Sequence, residues 1–266
     1  MLNILGKIDL PKIDPRPEEF RELLEGKMRG IKQEVNEFYE YEFLDDAAKV
    51  KMEGADLEAD NKFVAERERT WAGEHHQSVD EWRKGRDKNP ATITEMAVTL
   101  ILHKWLGEDF VIARACSYDD YKYGVDNVLI DKKTGVAVCG FDEVLGFTGD
   151  DGGEKKDKKI KDAILNGGSS LKYGATIEDA KLKRRDLRSM PTFCLSLSKK
   201  ELINLLVDLK SSNTKTENEK NVILKLVASL GNQNEEAKKI ASNNFLKKNL
   251  EKFAGSLEII KNIINQ

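Results

Sequence analysis

The chain has 266 residues and a mass of 30.1 kDa, 39% hydrophobic and 34% charged, which is enough for one large domain or a medium core with helical additions. Its 44 Lys and Arg against 47 Asp and Glu give a formal charge of −3, excluding a generally basic nucleic-acid coat. No apolar run approaches the roughly 18 to 20 residues that span a bilayer, and the first twenty residues lack the pattern of a secretion signal, so a cytoplasmic chain with no membrane partner is expected.

Residues 1–90 read as a helical, charged N-terminal region of net charge −6. Asp14-Pro15-Arg16-Pro17-Glu18 is a helix start signal. Phe20, Leu23, Leu24, Met28 and Ile31 follow at helical spacing, continuing through Val35 and Phe38 toward Tyr41 to Leu44. A second helix is expected from Leu57 to Trp71. Residues 73–90 show no periodicity and end in Asn-Pro, which sets the first boundary.

Residues 91–210 form the expected α/β core. Thr92 to Leu106 is a helix apolar around most of its circumference, hence buried. Three strand-like runs follow, Phe110–Cys116, Tyr123–Asp131 and Val136–Val144, the last two joined at Lys132-Lys133-Thr134-Gly135 as a hairpin. A polar loop from Gly146 to Gly153 reads as a flexible hairpin or lid. It leads into a Lys-rich helix from about Glu154 to Leu165, ended by Asn166-Gly167-Gly168. Thr192–Leu197 is a fourth strand, and Ser198-Lys199-Lys200-Glu201 has capping-box spacing for a helix through Leu209. Residues 211–220 read as a linker, and 211–266 as a C-terminal helical extension carrying Leu246, Leu250, Phe253, Leu257, Ile260 and Ile264 on one face.

Charge is uneven: net −5 over residues 91–150 and +5 over 151–210. Clustered carboxylates hold hard cations and basic patches hold phosphates. Asp126 stands in an apolar strand run, and Asp142-Glu143 end another. A buried carboxylate costs several kcal/mol unless it is paired or coordinates a cation. A hairpin makes these strands neighbours, close enough for one Mg²⁺ or Mn²⁺. Glu95 shares a helix face with Val98, Leu102 and Trp105; its other reading is a capping box opened by Thr92. Asp119-Asp120 reads as the end of the first strand. The three cysteines read as reduced core thiols, and His75, His76 and His103 lack zinc-site spacing.

The order helix, three strands, helix, strand, with Glu95, Gly124-Val125-Asp126 and Asp142-Glu143-Val144 in place, resembles the PD-(D/E)xK superfamily of restriction-endonuclease-like proteins. The stretch from Ser117 to Val144 is also similar to uncharacterised bacterial proteins of this kind. The resemblance implies a metal site of Glu95, Asp126 and Asp142, with Asp126, Asp142 and Glu143 catalytic. Val144 stands where that family has its lysine; of the five lysines in 155–161, Lys156 lies on the helix face of Ile160 and is the expected replacement. Lys183, Arg184, Arg185 and Arg188, in the densest basic cluster, are the expected nucleic-acid contacts. The implied function is Mg²⁺- or Mn²⁺-dependent phosphodiester hydrolysis in DNA or RNA. The alternative is a nuclease fold without activity that binds nucleic acid or a protein.

Overall fold

The Phe20, Leu24, Met28, Ile31 and Val35 stripe is buried along one side of α1 (Pro17–Phe38), which packs against α4 (Pro90–Leu106). The computed structural model describes residues 17–146, 158 and 160–266, with side chains from Phe20 onward. Between these helices lie α2 (Leu57–Glu74) and α3 (Val79–Asp87). Helix α3 falls where no periodicity is visible. Ser78 starts it, its hydroxyl accepting from Glu81 N while Glu81 returns to Ser78 N, a complete capping box. Residues 43–51 are not helical. Leu44 and Val50 bridge antiparallel, and residues 48–50 run parallel beside the first strand, with Val50 N donating to Arg114 O at 2.8 Å.

The strands are β1 (Phe110–Arg114), β2 (Asn127–Asp131), β3 (Ala137–Gly146), β4 (Ser169–Glu178), β5 (Lys181–Met190) and β6 (Thr192–Ser198). Strands β1, β2 and β3 form an antiparallel meander and β6 joins β3 in parallel, giving the order β1-β2-β3-β6. At the β2–β3 turn Gly135 has φ +70°, and a Cβ there would sit 1.9 Å from Ile177 O, so both conformation and space require glycine. Ile177 N in turn donates to Gly135 O at 2.8 Å, tying the turn to β4.

Two elements depart from the expected course. Tyr123 does not open β2, and Asp119-Asp120 do not end a strand; residues 117–123 form the short helix α5 (Ser117–Tyr123), closed by Gly124 in the left-handed region at φ +67°. Between the helical residues 160–165 and β6 stands the two-stranded antiparallel ribbon β4–β5, whose second strand is the basic cluster itself. The remaining described helices are α6 (Lys199–Ser211), α7 (Glu217–Ile240) and α8 (Asn244–Ile264). Ser198 and Glu201 make the anticipated capping box on α6. The last two helices cover the core: α7 packs on β6, and α8 on α7, β3 and β5.

Helix α4 is the axis of the core. Its residues Ile93, Met96, Val98, Ile101, Leu102 and Leu106 are all buried, consistent with its all-round apolar sequence. Each such side chain contributes about 1.5–3 kcal/mol on burial, and Ile101→Ala would cost about 2–5 kcal/mol. Cys116, Cys139 and Cys194 are buried and unbridged. No helix among the described residues is long and apolar enough to cross a membrane.

Candidate functional site

Strand register lines up one row of side chains beneath α4. Lys49 lies opposite Arg114, Arg114 opposite Asn127, and Asn127 opposite Phe141, so all four share one sheet face. Alternation along β3 adds Glu143 to that face and turns Asp142 and Val144 to the other. Side-chain contacts agree with this. Thr99 of α4 donates to Asn127 Oδ1 at 2.8 Å, and Asn127 Nδ2 donates to Glu143 Oε1 at 2.8 Å. On the opposite face, a Cβ on Gly140 would meet Met190 of β5.

Glu95 sits one turn before Thr99, and its Oε2 accepts from Arg114 Nη2 at 2.7 Å, with both side chains largely buried (13% and 5% exposed). It is not a capping residue. The helix starts earlier, with Asn89 as cap accepting from Ala91 N and Pro90 in the first position. Asp126 lies immediately before β2, its Oδ2 accepting from Glu143 N at 2.8 Å.

The acids are crowded. Burial, then Glu95, Glu143, Asp120 and Asp142 in that order, push the Asp126 carboxyl well above the usual carboxylate range. Burial first and the Glu95 charge second raise Glu143 to about 8, against the pull of Asn127 and of a hydrogen bond from Asp126. Burial and mutual crowding thus favour the neutral form of both carboxyls. Of the four acids acting on Asp126, Asp142 acts least. Glu143 shares α4's side with Glu95, and Asp126 meets them from the residue before β2 through the Glu143 N–H; Asp142, expected in the metal set, is buried and turned to the other face of β3 by alternation.

Three cations stand among these acids, none of them singled out from sequence. Arg114 holds Glu95. Arg86 of α3 donates to Asp120 Oδ2 at 2.8 Å and to the Tyr121 hydroxyl. Lys49 shares the face by register, and burial, with Arg114 next, lowers its pKa while Asp120 and Glu95 pull it up. The visible sign for Lys49 was the Phe43-Leu44 and Ala48-Val50 pairing of apolar residues about a short acidic turn, which reads as a small hairpin once helical spacing fails after Phe38. For Arg86 it was the Ser78–Glu81 capping spacing.

The predicted nucleic-acid residues are all on β5 and all ion-paired. Lys183 meets Glu178 at 3.2 Å, Arg185 meets Glu178 at 2.7 Å, Arg184 meets Glu53 at 3.3 Å and Arg188 meets Asp186 at 3.1 Å. A phosphate backbone gripped here would have to displace these carboxylates. Lys156 lies outside the described residues, as does most of the 146–153 loop and the start signal before α1.

Oxygen-only donors suit a hard cation such as Mg²⁺ or Mn²⁺. Their positions do not fit one as they stand: among the described residues no three Asp, Glu, His or Cys side chains converge to hold a metal ion. Glu95 is drawn to Arg114 and Glu143 to Asn127. An ion would have to pull Glu95 off its arginine.

No protein-family model, curated protein or solved structure matches the chain.

Proposed function

We propose that the protein is a nuclease-like hydrolase of phosphodiester bonds in DNA or RNA that depends on added Mg²⁺ or Mn²⁺. The observation that supports this reading is the arrangement of α4 over a β1-β2-β3 meander with β6 parallel beside it, crowding Glu95, Asp126 and Glu143 at one end. The PD-(D/E)xK resemblance implies a helix, three strands, a helix and a strand with Glu95, Asp126 and Asp142 about the metal; in this reading Glu143 stands in for Asp142. Glu143 takes the β3 acid position, and two residues on, where the family's lysine would stand, is Leu145. Lys49 supplies a cation to the same face from outside the core motif. A positive group there steadies charge developing on a phosphate.

The test is cleavage of plasmid, single-stranded DNA and RNA with Mn²⁺ or Mg²⁺. Wild type is expected to cleave at least one, and Asp126→Asn and Glu143→Gln to stop it while leaving salt-sensitive binding intact. Mn²⁺ should also raise the melting temperature of wild type but not of Asp126→Asn. Absence of cleavage with either ion on every substrate would favour the second reading, a nuclease-fold module that binds without cutting. The Glu95–Arg114 pair favours that reading, since it already neutralises one acid.

A further inference from the structure

Beside the carboxylates, a cavity of about 450 Å³ opens between α2, α3, α5 and the start of α4. Its walls include Trp71, Trp82 and Tyr121, and its inner edge is Arg86, Glu95 and Asp120. Glu95 and Asp120 thus belong both to the cavity and to the acid cluster. Trp71 and Trp82 are half-buried and stack at 5.6 Å between ring centres, and Tyr121 meets Trp71 edge-on at 4.8 Å. We infer that this cavity is a nucleobase pocket, seating a base next to the carboxylates; the inference rests on the nucleic-acid reading above.

Elimination narrows the ligand. The places an organic cation would take over these rings are filled by the protein itself. Arg86 lies 5.7 Å over Trp82 and 4.8 Å over Tyr121, and Arg67 lies 5.0 Å over Trp71. A simple anion would meet Glu95 and Asp120. A hydrocarbon would strip water from Arg86 and both acids without replacing it. A flat, neutral heteroaromatic ring avoids all three penalties. Its face would lie on the Arg86 guanidinium, extending the stack that Arg86 already makes over Trp82 and Tyr121 instead of displacing it, and its polar edge would meet Glu95 and Asp120. Carboxylate acceptors there favour bases with an exocyclic amino group. Pockets of this volume suit a ligand of one or two rings.

The experiment is tryptophan fluorescence titration of the full chain with a single-stranded oligonucleotide, an abasic strand of equal length and charge, and a nucleoside monophosphate. Trp105, the third tryptophan, is buried against Glu219 and does not line this cavity. The base-bearing strand is expected to quench saturably, and the abasic strand to bind about 5- to 150-fold more weakly, the range for losing one stacked base. Trp82→Ala should cause a similar loss, with Trp82→Phe recovering part of it, and circular dichroism confirming that both fold. Saturable quenching by the mononucleotide alone also supports the pocket and assigns it to a free nucleotide. Equal binding of base-bearing and abasic strands, or binding unchanged in Trp82→Ala, overturns it. Base-dependent quenching without cleavage under any metal would leave the pocket standing and remove the hydrolase reading. Cleavage with equal binding of both strands would do the reverse.

Discussion

Asn127 spans the space between α4 and β3, taking a hydrogen bond from Thr99 at 2.8 Å and giving one to Glu143 at 2.8 Å. Because the amide can donate to a neutral or an ionised carboxyl, it fixes where Glu143 sits without fixing its charge. The charge is set by burial and by Glu95.

Stability should therefore fall as pH rises. Glu143 titrates near 8 in the folded chain against 4.5 when unfolded. Below about pH 4.5 it is neutral in both states; between about 4.5 and 8 only the folded state keeps the proton, so rising pH favours unfolding. The slope is at most about 1.4 kcal/mol per pH unit and ends above pH 8. Urea unfolding of wild type and Glu143→Gln at several pH values checks this, the variant being expected to lose the slope. Parallel profiles would mean that Glu143 ionises freely.

Removing one half of the Glu95–Arg114 pair should be costly. Arg114→Met leaves Glu95 buried without its cation, and breaking such a pair costs about 3–5 kcal/mol. Arg114→Met combined with Glu95→Gln is expected to recover most of the loss in thermal denaturation. No recovery would show that Arg114 acts through its other surroundings.

If the protein cleaves nucleic acid, Lys49→Met should lower kcat by about 100- to 1000-fold, the usual loss for one preorganised positive group. Affinity for an uncleavable strand should change little, and Lys49→Arg should restore part of the rate. An unchanged kcat would leave the cation to be found elsewhere.

The β5 cations should become a better phosphate grip once released. Glu178 is held near pKa 2 by Arg185 first and Lys183 next. In Glu178→Ala Arg185 is freed and Lys183 keeps only its looser 3.7 Å contact with Asp179, and the salt dependence of strand binding should steepen by about 0.7–0.9 for each that engages a phosphate. An unchanged slope would mean that β5 does not touch the strand.

The parts of the fold readable in sequence were those with a strong local pattern. The α1 stripe, the all-apolar α4, the Gly135 turn and the Ser198 cap each carry their own cause within a few residues. The parts that escaped depend on distant partners. Strand β5, Lys-Leu-Lys-Arg-Arg-Asp-Leu-Arg, has no strand-like composition; pairing with β4 makes it extended. Helix α5 is held by Asp119, whose carboxylate accepts from Lys172 N and Tyr173 N across the fold. In the site, Asp126 and Glu95 were visible as acids in apolar runs. The choice between Asp142 and Glu143 turned on strand parity, which needs the register to be known. Lys49 was hidden because helical spacing, followed on toward Leu44, masks the small apolar hairpin of Phe43-Leu44 and Ala48-Val50 that reaches the sheet edge.

That edge contact sets an order of events in making the protein. Residues 48–50 leave the ribosome well before Arg114, their parallel partner, exists, so during early synthesis the segment that brings Lys49 to the sheet has only its local partner around Leu44 to pair with. Long-range parallel pairing is also slow to close in a refolding chain. The acids of α4, β2 and β3 belong to a contiguous stretch, whereas their cation arrives from the earliest part of the chain, and a nascent chain released short of β1 would carry Lys49 without the strand that positions it.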